Sequence, residues 1–474
     1  MSDEIIDVTR LVNDQKPGLL CAQVIGLTFL VMLSDGYDLA ATAYAAGGVM
    51  HTLNIKHAAM GLVFSAGLVG MLFGAPLFGF IGDRFGRKRG VIAASLLYGV
   101  FSLACARANS VGQLELFRFM VGAGLGGLLP NVTALNMEFS PQRQRATFTI
   151  LTFLGLTFGG LTPALMSTLL PPAQWRLLFL IGGAFPIVMA PVLALLLPES
   201  IKFLVLSGRR EGEVRRLVQR LRPGPPPTPS ARFVVGEAGG GGAQIGELFR
   251  GGLKFATPLL WVAFAAALMV NFFLNSWMPT LMREAGLTAG RAALVASMYY
   301  VGGIAGGLSI GRVLDTFGRI GLVVLFLLAI PAVAAVGTPH LGQPALMALV
   351  FLSGYTVLGS QLGLSASAGM IYPTRVRSNG AGWAHGVGRL GAIAGPMVAA
   401  QLLAAHLSLH QLLLVPAIPL IFGALAVLGI TLLYRDSDRG RPSSGKAAET
   451  PDAPPGETAV YRGGEPAFSP RPAL

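Results

Sequence analysis

The sequence predicts an all-α integral membrane protein in which twelve transmembrane helices form two pseudo-symmetric six-helix bundles. Three observations support this fold class. Of the 474 residues, 53% are hydrophobic and only 12% are charged, whereas soluble proteins carry about 25% charged residues. Twelve apolar segments approach or exceed the length of about 20 residues that crosses a bilayer. Two short motifs of the first half of the chain recur in the second half at one constant spacing.

The predicted spans fall into two groups of six, separated by a polar segment. The first group covers 21–45, 57–81, 90–107, 112–137, 146–170 and 176–197, and the second covers 256–280, 291–311, 320–338, 343–370, 379–403 and 410–433. We therefore expect a cytoplasmic N-terminus at 1–20, an N-terminal bundle at 21–197, a cytoplasmic central loop at 198–255, a C-terminal bundle at 256–433 and a cytoplasmic tail at 434–474.

The basic residues predict the orientation, because Lys and Arg accumulate on the cytoplasmic side of membrane proteins. With both termini inside, 28 Lys and Arg fall on inner segments and five on outer ones, and Arg118 and Arg389 lie within spans. The net charge of +13 is therefore a topology signal rather than a nucleic-acid footprint. The richness in Gly, Ala, Arg and Pro favours a bacterium with GC-rich DNA, and hence its inner membrane.

The central loop is expected to be mostly a linker. It contains PGPPPTPS at 223–230 and AGGGG at 238–242, compositions that favour flexible chains. Before them, the segment SGRREGEVRRLVQRL at 207–221 predicts a basic amphipathic helix on the inner membrane surface. The tail is rich in Pro, Gly, Ser and charged residues, which predicts disorder.

The two halves are related by the repeated motifs. GFIGDRFGR at 79–87 resembles GRVLDTFGR at 311–319, and SPQRQR at 140–145 resembles YPTRVR at 372–377. In both cases the same number of residues separates corresponding positions of the two copies, and this number is here called the repeat spacing. Parallel six-helix repeats are the architecture of transporters in which two bundles rock about a substrate site near the middle of the membrane.

The first repeated motif predicts a latch between the bundles at the cytoplasmic side. Glycines permit close backbone approach or unusual dihedral angles, and an Asp can accept hydrogen bonds from helix N-terminal amides or from an arginine. The alternative is simple anchoring by positive charge, which needs neither the glycines nor the Asp. The residues of the predicted latch are Gly79, Asp83, Arg84, Gly86, Arg87, Asp315 and Arg319.

Two carboxylates inside the first predicted span indicate a polar pathway through the membrane. Asp35 and Asp38 are three residues apart and therefore share one side of a helix. Ionisable residues at bilayer depth are costly and are usually functional. At least one of the two is expected to bind and release protons, and the alternative is that both pair with internal arginines and hold the bundles together.

The motifs together resemble the major facilitator superfamily over about residues 20–434. Within it, DGYD at 35–38, FRFMVGAGLGGLLPN at 117–131 with Glu138, and YPTRVRSNGAGWAHGVGRLGAIAGP at 372–396 look like the aromatic acid:proton symporters. Members of that family import benzoate, hydroxybenzoates, protocatechuate, gentisate and related acids with protons. The resemblance implies roles for Asp35, Asp38, Arg118, Glu138 and Arg389. Thr316 stands where the first repeat has Arg84, which weakens the second latch.

The two arginines within spans offer a planar fork for a carboxylate. We expect Arg389 to bind the substrate anion and Arg118 to serve proton coupling, as the corresponding arginine does in many relatives. Either is alternatively a structural partner of a span aspartate. Glu138 is either an exit carboxylate or a partner of Arg143 or Arg145.

An aromatic acid also needs a flat apolar slot. His385, four residues before Arg389, either contacts substrate or packs helices. Asn271 and Asn275 are candidates for binding ring hydroxyls. For each aromatic residue the alternative is contact with lipid, and the candidate walls are Tyr37, Phe272, Phe273, Trp277, Tyr299, Tyr300 and Trp383. No role is expected for the histidines near the outer loops, which are His51, His57, His340, His406 and His410.

The predicted function is import of an aromatic carboxylic acid with protons by alternating access. The alternatives are proton-coupled export of drugs or metabolites, import of another small organic acid, and a membrane sensor. An enzyme is disfavoured, because the sequence has no nucleophile triad, metal cluster or phosphate loop. We expect no cofactor, no metal, no nucleic acid and no obligate protein partner; the expected partners are the aromatic acid, protons and the bilayer.

Overall fold

A computed structural model describes residues 4–208, 211–221, 228, 231–236, 245–373 and 376–439. The predicted Gly-rich linker, the Pro-rich linker apart from Thr228, and the tail beyond residue 439 lie outside these ranges.

The N-terminal half consists of a short strand and seven α-helices. These are β1 (Ile5–Asp7), α1 (Val8–Asp14), α2 (Leu19–Leu53), α3 (His57–Phe85), α4 (Arg87–Cys105), α5 (Val111–Phe139), α6 (Arg145–Leu169) and α7 (Trp175–Leu196). The central loop contributes α8 (Ile201–Ser207), α9 (Glu211–Leu221), β2 (Arg232–Val234) and a 3₁₀ turn (Ile245–Phe249). The C-terminal half consists of α10 (Leu253–Glu284), α11 (Ala289–Phe317), α12 (Arg319–Val336), α13 (Gln343–Ile371), α14 (Arg377–Ala404), α15 (Leu409–Leu414) and α16 (Ala417–Arg439).

The twelve-span architecture is confirmed. Within the described ranges, eleven segments are long and apolar enough to cross a membrane. The twelfth span is α5, which has 29 residues but carries Glu115, Arg118 and Glu138 and is not among those eleven segments. The last span consists of α15 and α16, and its helix continues to Arg439, past the predicted end at 433.

The internal repeat extends to the helix ends. Both ends of α11 follow the ends of α3 at the repeat spacing, and both ends of α13 follow those of α5 at the same spacing. Gly86 between α3 and α4 has φ +109°, and its counterpart Gly318 between α11 and α12 has φ +59°. Both values favour glycine, so a glycine with positive φ joins the corresponding helices in both halves.

The halves pack by the same helix pairs. In the N-terminal half α3 lies along α5 and α2 along α6, and in the C-terminal half α11 lies along α13 and α10 along α14. Glycines allow this close approach: a Cβ added to Gly74 would lie 1.9 Å from Ala123 O, and one added to Gly391 would lie 2.0 Å from Ala265 O. Between the halves, α3 contacts α14, α6 contacts α11 and α2 contacts α10.

Part of the central loop is folded against the N-terminus. β1 and β2 pair in parallel, with Ile5 opposite Arg232. Asp7 caps α1 by accepting a hydrogen bond from Thr9 N at 2.8 Å, and it also accepts one from Gly236 N at 3.0 Å. The apolar side of α9 is buried and packs on α8 and α1. The predicted amphipathic helix therefore exists, but its apolar face is covered by protein rather than by the membrane surface.

Candidate functional site

Asp38 forms a buried ion pair inside the N-terminal half. Arg118 Nη1 in α5 donates to Asp38 Oδ2 at 2.7 Å, and the two side chains are 4% and 1% exposed. Ser102 in α4 donates to the other carboxylate oxygen at 3.2 Å. The sequence left open whether this aspartate binds protons or pairs with an internal arginine, and this arrangement matches the pairing.

Asp35 lies one turn before Asp38 but has different neighbours. The residue is 2% exposed, and its Oδ1 atom is buried without a hydrogen-bond partner among the described residues. Asp35 forms no described ion pair, and the oppositely charged group that influences it at longer range is Arg389 in α14 of the other half. A helix turns by about 100° per residue, so a spacing of three residues leaves the two carboxylates about 60° apart. Because of this angle, Asp38 meets a partner inside the N-terminal half, whereas Asp35 interacts with a residue of the other half.

Arg389 and His385 lie one turn apart on α14, and both are partly exposed. No hydrogen bond or ion pair within the described part of the chain engages the guanidinium of Arg389. His385 Nε2 lies 3.3 Å from Ser365 Oγ in α13, and its ring meets that of Phe264 edge-on with centroids 4.6 Å apart. The histidine is thus held by two neighbours, while the arginine remains available to an anion.

The two predicted amides make hydrogen bonds within the C-terminal half. Tyr299 OH donates to Asn271 Oδ1 at 2.9 Å, and Asn271 Nδ2 donates to Gln361 Oε1 at 2.8 Å. Tyr300 OH donates to Asn275 Oδ1 at 2.6 Å. Asn271 uses both ends of its amide in this way, so it orients other side chains instead of presenting a free group.

Two of the predicted wall residues lie elsewhere. The Tyr37 hydroxyl donates to Leu178 O at 3.1 Å within the N-terminal half. Trp383 is 43% exposed and stacks on Trp261, with ring centroids 6.2 Å apart. Trp383 is two residues from His385, which places it on nearly the opposite side of α14. Tyr37 and Trp383 therefore stabilise helix packing and are not brought together with Arg389.

The halves meet closely at the side of the bundle opposite the chain termini, here called the far side. Phe64 in α3 packs edge-on against Trp277 in α10, with ring centroids 5.3 Å apart. A Cβ added to Gly61 in α3 would lie 2.4 Å from the Cβ of Ala400 in α14. Ser65 in α3 donates to a backbone carbonyl of α14 at 2.9 Å. These contacts close the far side.

A histidine without a predicted role contributes to this closure. His57 Nε2 at the start of α3 lies 3.3 Å from Glu284 Oε1 at the end of α10. The sequence gives no local signal for this pair, because its members are far apart in the chain and belong to different halves.

The faces of α3 and α14 that meet on the far side carry glycines towards the chain termini. On α14, Gly386 and Gly382 continue the face of Ile393, at spacings of seven and eleven residues, and Ile393 O accepts the bond from Ser65. On α3, Gly79 continues the face of Gly61 five turns along the helix. A Cβ added to Gly79, Gly382 or Gly386 would meet nothing within 4 Å. The space beside these glycines is therefore open on the terminal side, and this open space between the facing sides of α3 and α14 is here called the cavity.

The predicted latch lies at the mouth of this cavity. Asp83 pairs with Arg87 one turn later, and its side chain is 65% exposed. Arg84 is exposed as well. In the second copy Asp315 is exposed at the end of α11, and Arg319 begins α12. The ion pair described for the first copy lies within one half, so a latch that joins the halves stays a prediction.

Position 86 of this motif must be a glycine because a neighbouring carboxylate leaves no room for a side chain. A Cβ at Gly86 would lie 2.2 Å from Glu199 Oε2. Glu199 Oε1 accepts from Lys88 N at 3.0 Å and from Ser200 N at 2.9 Å. Burial raises the pKa of the Glu199 carboxyl above its ordinary value, and these backbone hydrogen bonds act against that shift. The central loop thus caps the N-terminus of α4.

Glu138 also contacts the central loop. The hydroxyl of Ser200 donates to Glu138 Oε2. The side chain of Arg145 donates instead to Asn13 Oδ1 at 2.8 Å. Of the expected partners Arg143 and Arg145, neither forms a described bond to Glu138. The carboxylate therefore joins the end of α5 to the start of α8.

The fold and the comparisons identify the class of protein. The family model described as Major Facilitator Superfamily matches residues 25–342 and 260–471. The chain belongs to the Major Facilitator Superfamily, and it is a transporter rather than an enzyme.

Its relatives place it more narrowly. The chain is 34% identical to a 4-hydroxybenzoate transporter of Pseudomonas aeruginosa, over 90% of this chain and 96% of that protein. It is 32% identical to a gallate transporter of Pseudomonas putida over 90% and 95%, and 31% identical to a benzoate transport protein of Acinetobacter baylyi over 93% and 94%. The predicted resemblance to aromatic acid transporters is confirmed.

Solved structures agree on the fold. The xylose transporter XylE of E. coli, in a partially occluded inward open conformation, superposes with a TM-score of 0.65 at 16% identity, over 86% of this chain and 98% of that one. A bacterial homolog of the lysosomal transporter Spinster, in an inward-facing and unoccupied conformation, gives 0.63 at 20% identity, over 90% and 100%.

Proposed function

We propose that this protein imports an aromatic carboxylic acid together with protons across the bacterial inner membrane, with both termini in the cytoplasm. The observation that carries the proposal is that two opposite charges, Asp35 in one half and Arg389 in the other, influence each other without forming a described ion pair or hydrogen bond. Arg389 has no partner within the described residues other than the charge of Asp35, and Asp35 has a buried oxygen without a hydrogen bond.

The substrate class follows from the cation and from the relatives. A guanidinium binds a carboxylate through two parallel hydrogen bonds, and Arg389 offers this fork beside a cavity. The similar proteins named above are transporters of 4-hydroxybenzoate, gallate and benzoate. A planar acid with its carboxylate on Arg389 is therefore the proposed cargo.

Proton coupling follows from the charge balance between the halves. When the cavity is empty, Asp35 and Arg389 neutralise each other. When a substrate carboxylate occupies Arg389, an ionised Asp35 would be left buried without a counter-charge, which is costly. A proton on Asp35 removes that cost. Asp35 is thus the proposed proton carrier, and the pair of Asp38 and Arg118 keeps its helices in register and serves coupling.

Alternating access follows from the two sides of the bundle. The far side is closed by contacts between α3, α10 and α14, and the cavity opens towards the termini. With the termini in the cytoplasm, this is the conformation that releases substrate inside, where catabolism keeps the substrate concentration low. The latch motif around Asp83 is proposed to close that side in the alternate conformation.

Uptake of radiolabelled 4-hydroxybenzoate into right-side-out membrane vesicles tests the proposal. We expect accumulation driven by an inward proton gradient and abolished by a protonophore. Uptake that is indifferent to the collapsed gradient would remove proton coupling. Accumulation only in inverted vesicles would instead indicate export.

A further inference from the structure

The C-terminal half contains a chain of neutral hydrogen-bonding groups that ends at the cavity. We infer that Gln361 recognises a hydroxyl group on the aromatic ring, and that the cargo is a hydroxylated aromatic acid rather than benzoate. This inference rests on the proposed function, because it assigns the ring end of the same substrate whose carboxylate binds Arg389.

The donor-to-acceptor direction of these hydrogen bonds leaves the Nε2 donor of Gln361 free. Tyr299 is 1% exposed and Asn271 is 5% exposed, so their groups have little access to water. With the tyrosine donating to Asn271 Oδ1, the Asn271 amide nitrogen donates to Gln361 Oε1. The oxygen of Gln361 is then occupied and its Nε2 points away from Asn271. No hydrogen bond within the described ranges uses that nitrogen, and Gln361 is partly exposed.

Gln361 lies at the level of Arg389. Ser365 is one turn after Gln361 on α13 and meets His385, which is one turn before Arg389 on α14. The two helices run in opposite directions, so Gln361 and Arg389 both lie about 6 Å beyond that contact along the helix axes, towards the far side. A flat molecule held by its carboxylate at Arg389 can therefore present a ring substituent to Gln361.

The hydrogen-bonded series of Tyr299, Asn271 and Gln361 belongs to the C-terminal half and is not repeated at the corresponding positions of the N-terminal half. The repeat spacing places Leu129 at the position that corresponds to Gln361, and Leu39 at that of Asn271. The N-terminal half is thus built with apolar residues at these positions. The same helix packing does not require the amides, which points to a ligand as the reason for them.

The expected effect is discrimination between acids. A phenolic oxygen accepts a hydrogen bond from Gln361 Nε2, whereas benzoate leaves that donor without a partner once the cavity closes. A site that hydrogen-bonds a substituent rejects the analogue that lacks it. Because Asn271 and Tyr299 act only by fixing the orientation of Gln361, they are positioning residues.

The test compares Gln361→Leu with Gln343→Leu. Gln343 begins the same helix, five turns away on the same face, so it controls for the loss of an amide from α13. Uptake of labelled 3-hydroxybenzoate, 4-hydroxybenzoate and benzoate is measured in vesicles, with transporter amount determined by immunoblot. In the wild type we expect a KM for the better hydroxybenzoate at least about tenfold below that for benzoate. Gln361→Leu should remove most of this preference by raising the hydroxybenzoate KM, and Gln343→Leu should keep it.

Tyr299→Phe provides a second readout that removes a single oxygen. It should raise the KM for the better hydroxybenzoate towards that for benzoate and change the benzoate KM little. A general loss of packing would instead affect both acids. Equal losses for both acids in either variant, or a wild type that prefers benzoate, would overturn the inference while leaving the proposed function in place. A wild type that accumulates neither acid would overturn the proposed function and the inference with it.

Discussion

The two aspartates of α2 should respond to different extents to the same substitution. Asp38→Asn removes the counter-charge of Arg118, whose side chain is 4% exposed. Removing one partner of a buried ion pair costs about 3–5 kcal/mol, since the other charge stays buried. Asp35→Asn removes a carboxylate that has an unpartnered buried oxygen and no ion pair described within its own half. This substitution leaves Arg389 without that counter-charge, but Arg389 is partly exposed, so the loss of stability should be smaller than for Asp38→Asn.

Thermal unfolding in detergent can measure the difference without any added label site. Cys21 and Cys105 are both buried, so a thiol-reactive fluorogenic dye reports their exposure on unfolding. We expect a Tm several degrees lower for Asp38→Asn and a smaller decrease or no change in Tm for Asp35→Asn. The double variant Asp38→Asn with Arg118→Gln should recover part of the loss, because it removes the orphaned charge as well.

Transport separates the roles further. Asp35→Asn mimics the protonated carboxyl, so it should exchange labelled against unlabelled substrate but fail to accumulate it against a gradient. Equal losses of Tm in the two single variants would refute the assignment of Asp38 to the structural pair and of Asp35 to the proton. Accumulation at the wild-type level by Asp35→Asn would refute the second assignment alone.

Two other positions give independent predictions. Glu284→Gln removes the carboxylate that contacts His57 at the far side, so a cysteine placed at Ser65 should be labelled faster by an impermeant reagent from that side. An unchanged labelling rate would show that this contact does not hold the closure. Gly86→Ala should lower stability by about 1–3 kcal/mol, because φ is +109° and the added Cβ meets a carboxylate at 2.2 Å. Gly79→Ala, with nothing within 4 Å, is the matched control, and similar Tm values for the two alanine variants would contradict the reasoning.

Much of the fold could be predicted from the sequence, because spans and repeats are local signals. The predicted span at 57–81 begins at the first residue of α3. It ends four residues early because charged residues were interpreted as loop, whereas the helix continues to Phe85 and stops at Gly86. The pairing of Ile5 with Arg232 was not predictable. Two strands of three residues each carry almost no periodicity, and their partnership depends on how the central loop returns to the N-terminus.

The site could be predicted as a set of residues but not as a set of partners. The sequence identifies Asp35, Asp38, Arg118 and Arg389 as buried charges, and their residue types limit the chemistry. Which aspartate meets which arginine depends on the rotation of α2 about its own axis and on the contacts of the two halves. The same applies to Gln361, whose significance depends on the orientation that a buried neighbour imposes on its amide.

The division of charge between the halves links binding to movement. The proposed anion site, Arg389, belongs to one half and the proposed proton site, Asp35, belongs to the other, while the pair of Asp38 and Arg118 is internal and moves as a unit. Any rocking of the halves changes the distance between Asp35 and Arg389 but not the internal pair. Substrate without a proton leaves a net negative charge between the halves, and a proton without substrate leaves a net positive one. Only the empty site and the doubly loaded site are neutral, so these two are the states that can close at low electrostatic cost. In the proposed mechanism the transporter therefore couples the aromatic acid and the proton through the electrostatics of a single cavity.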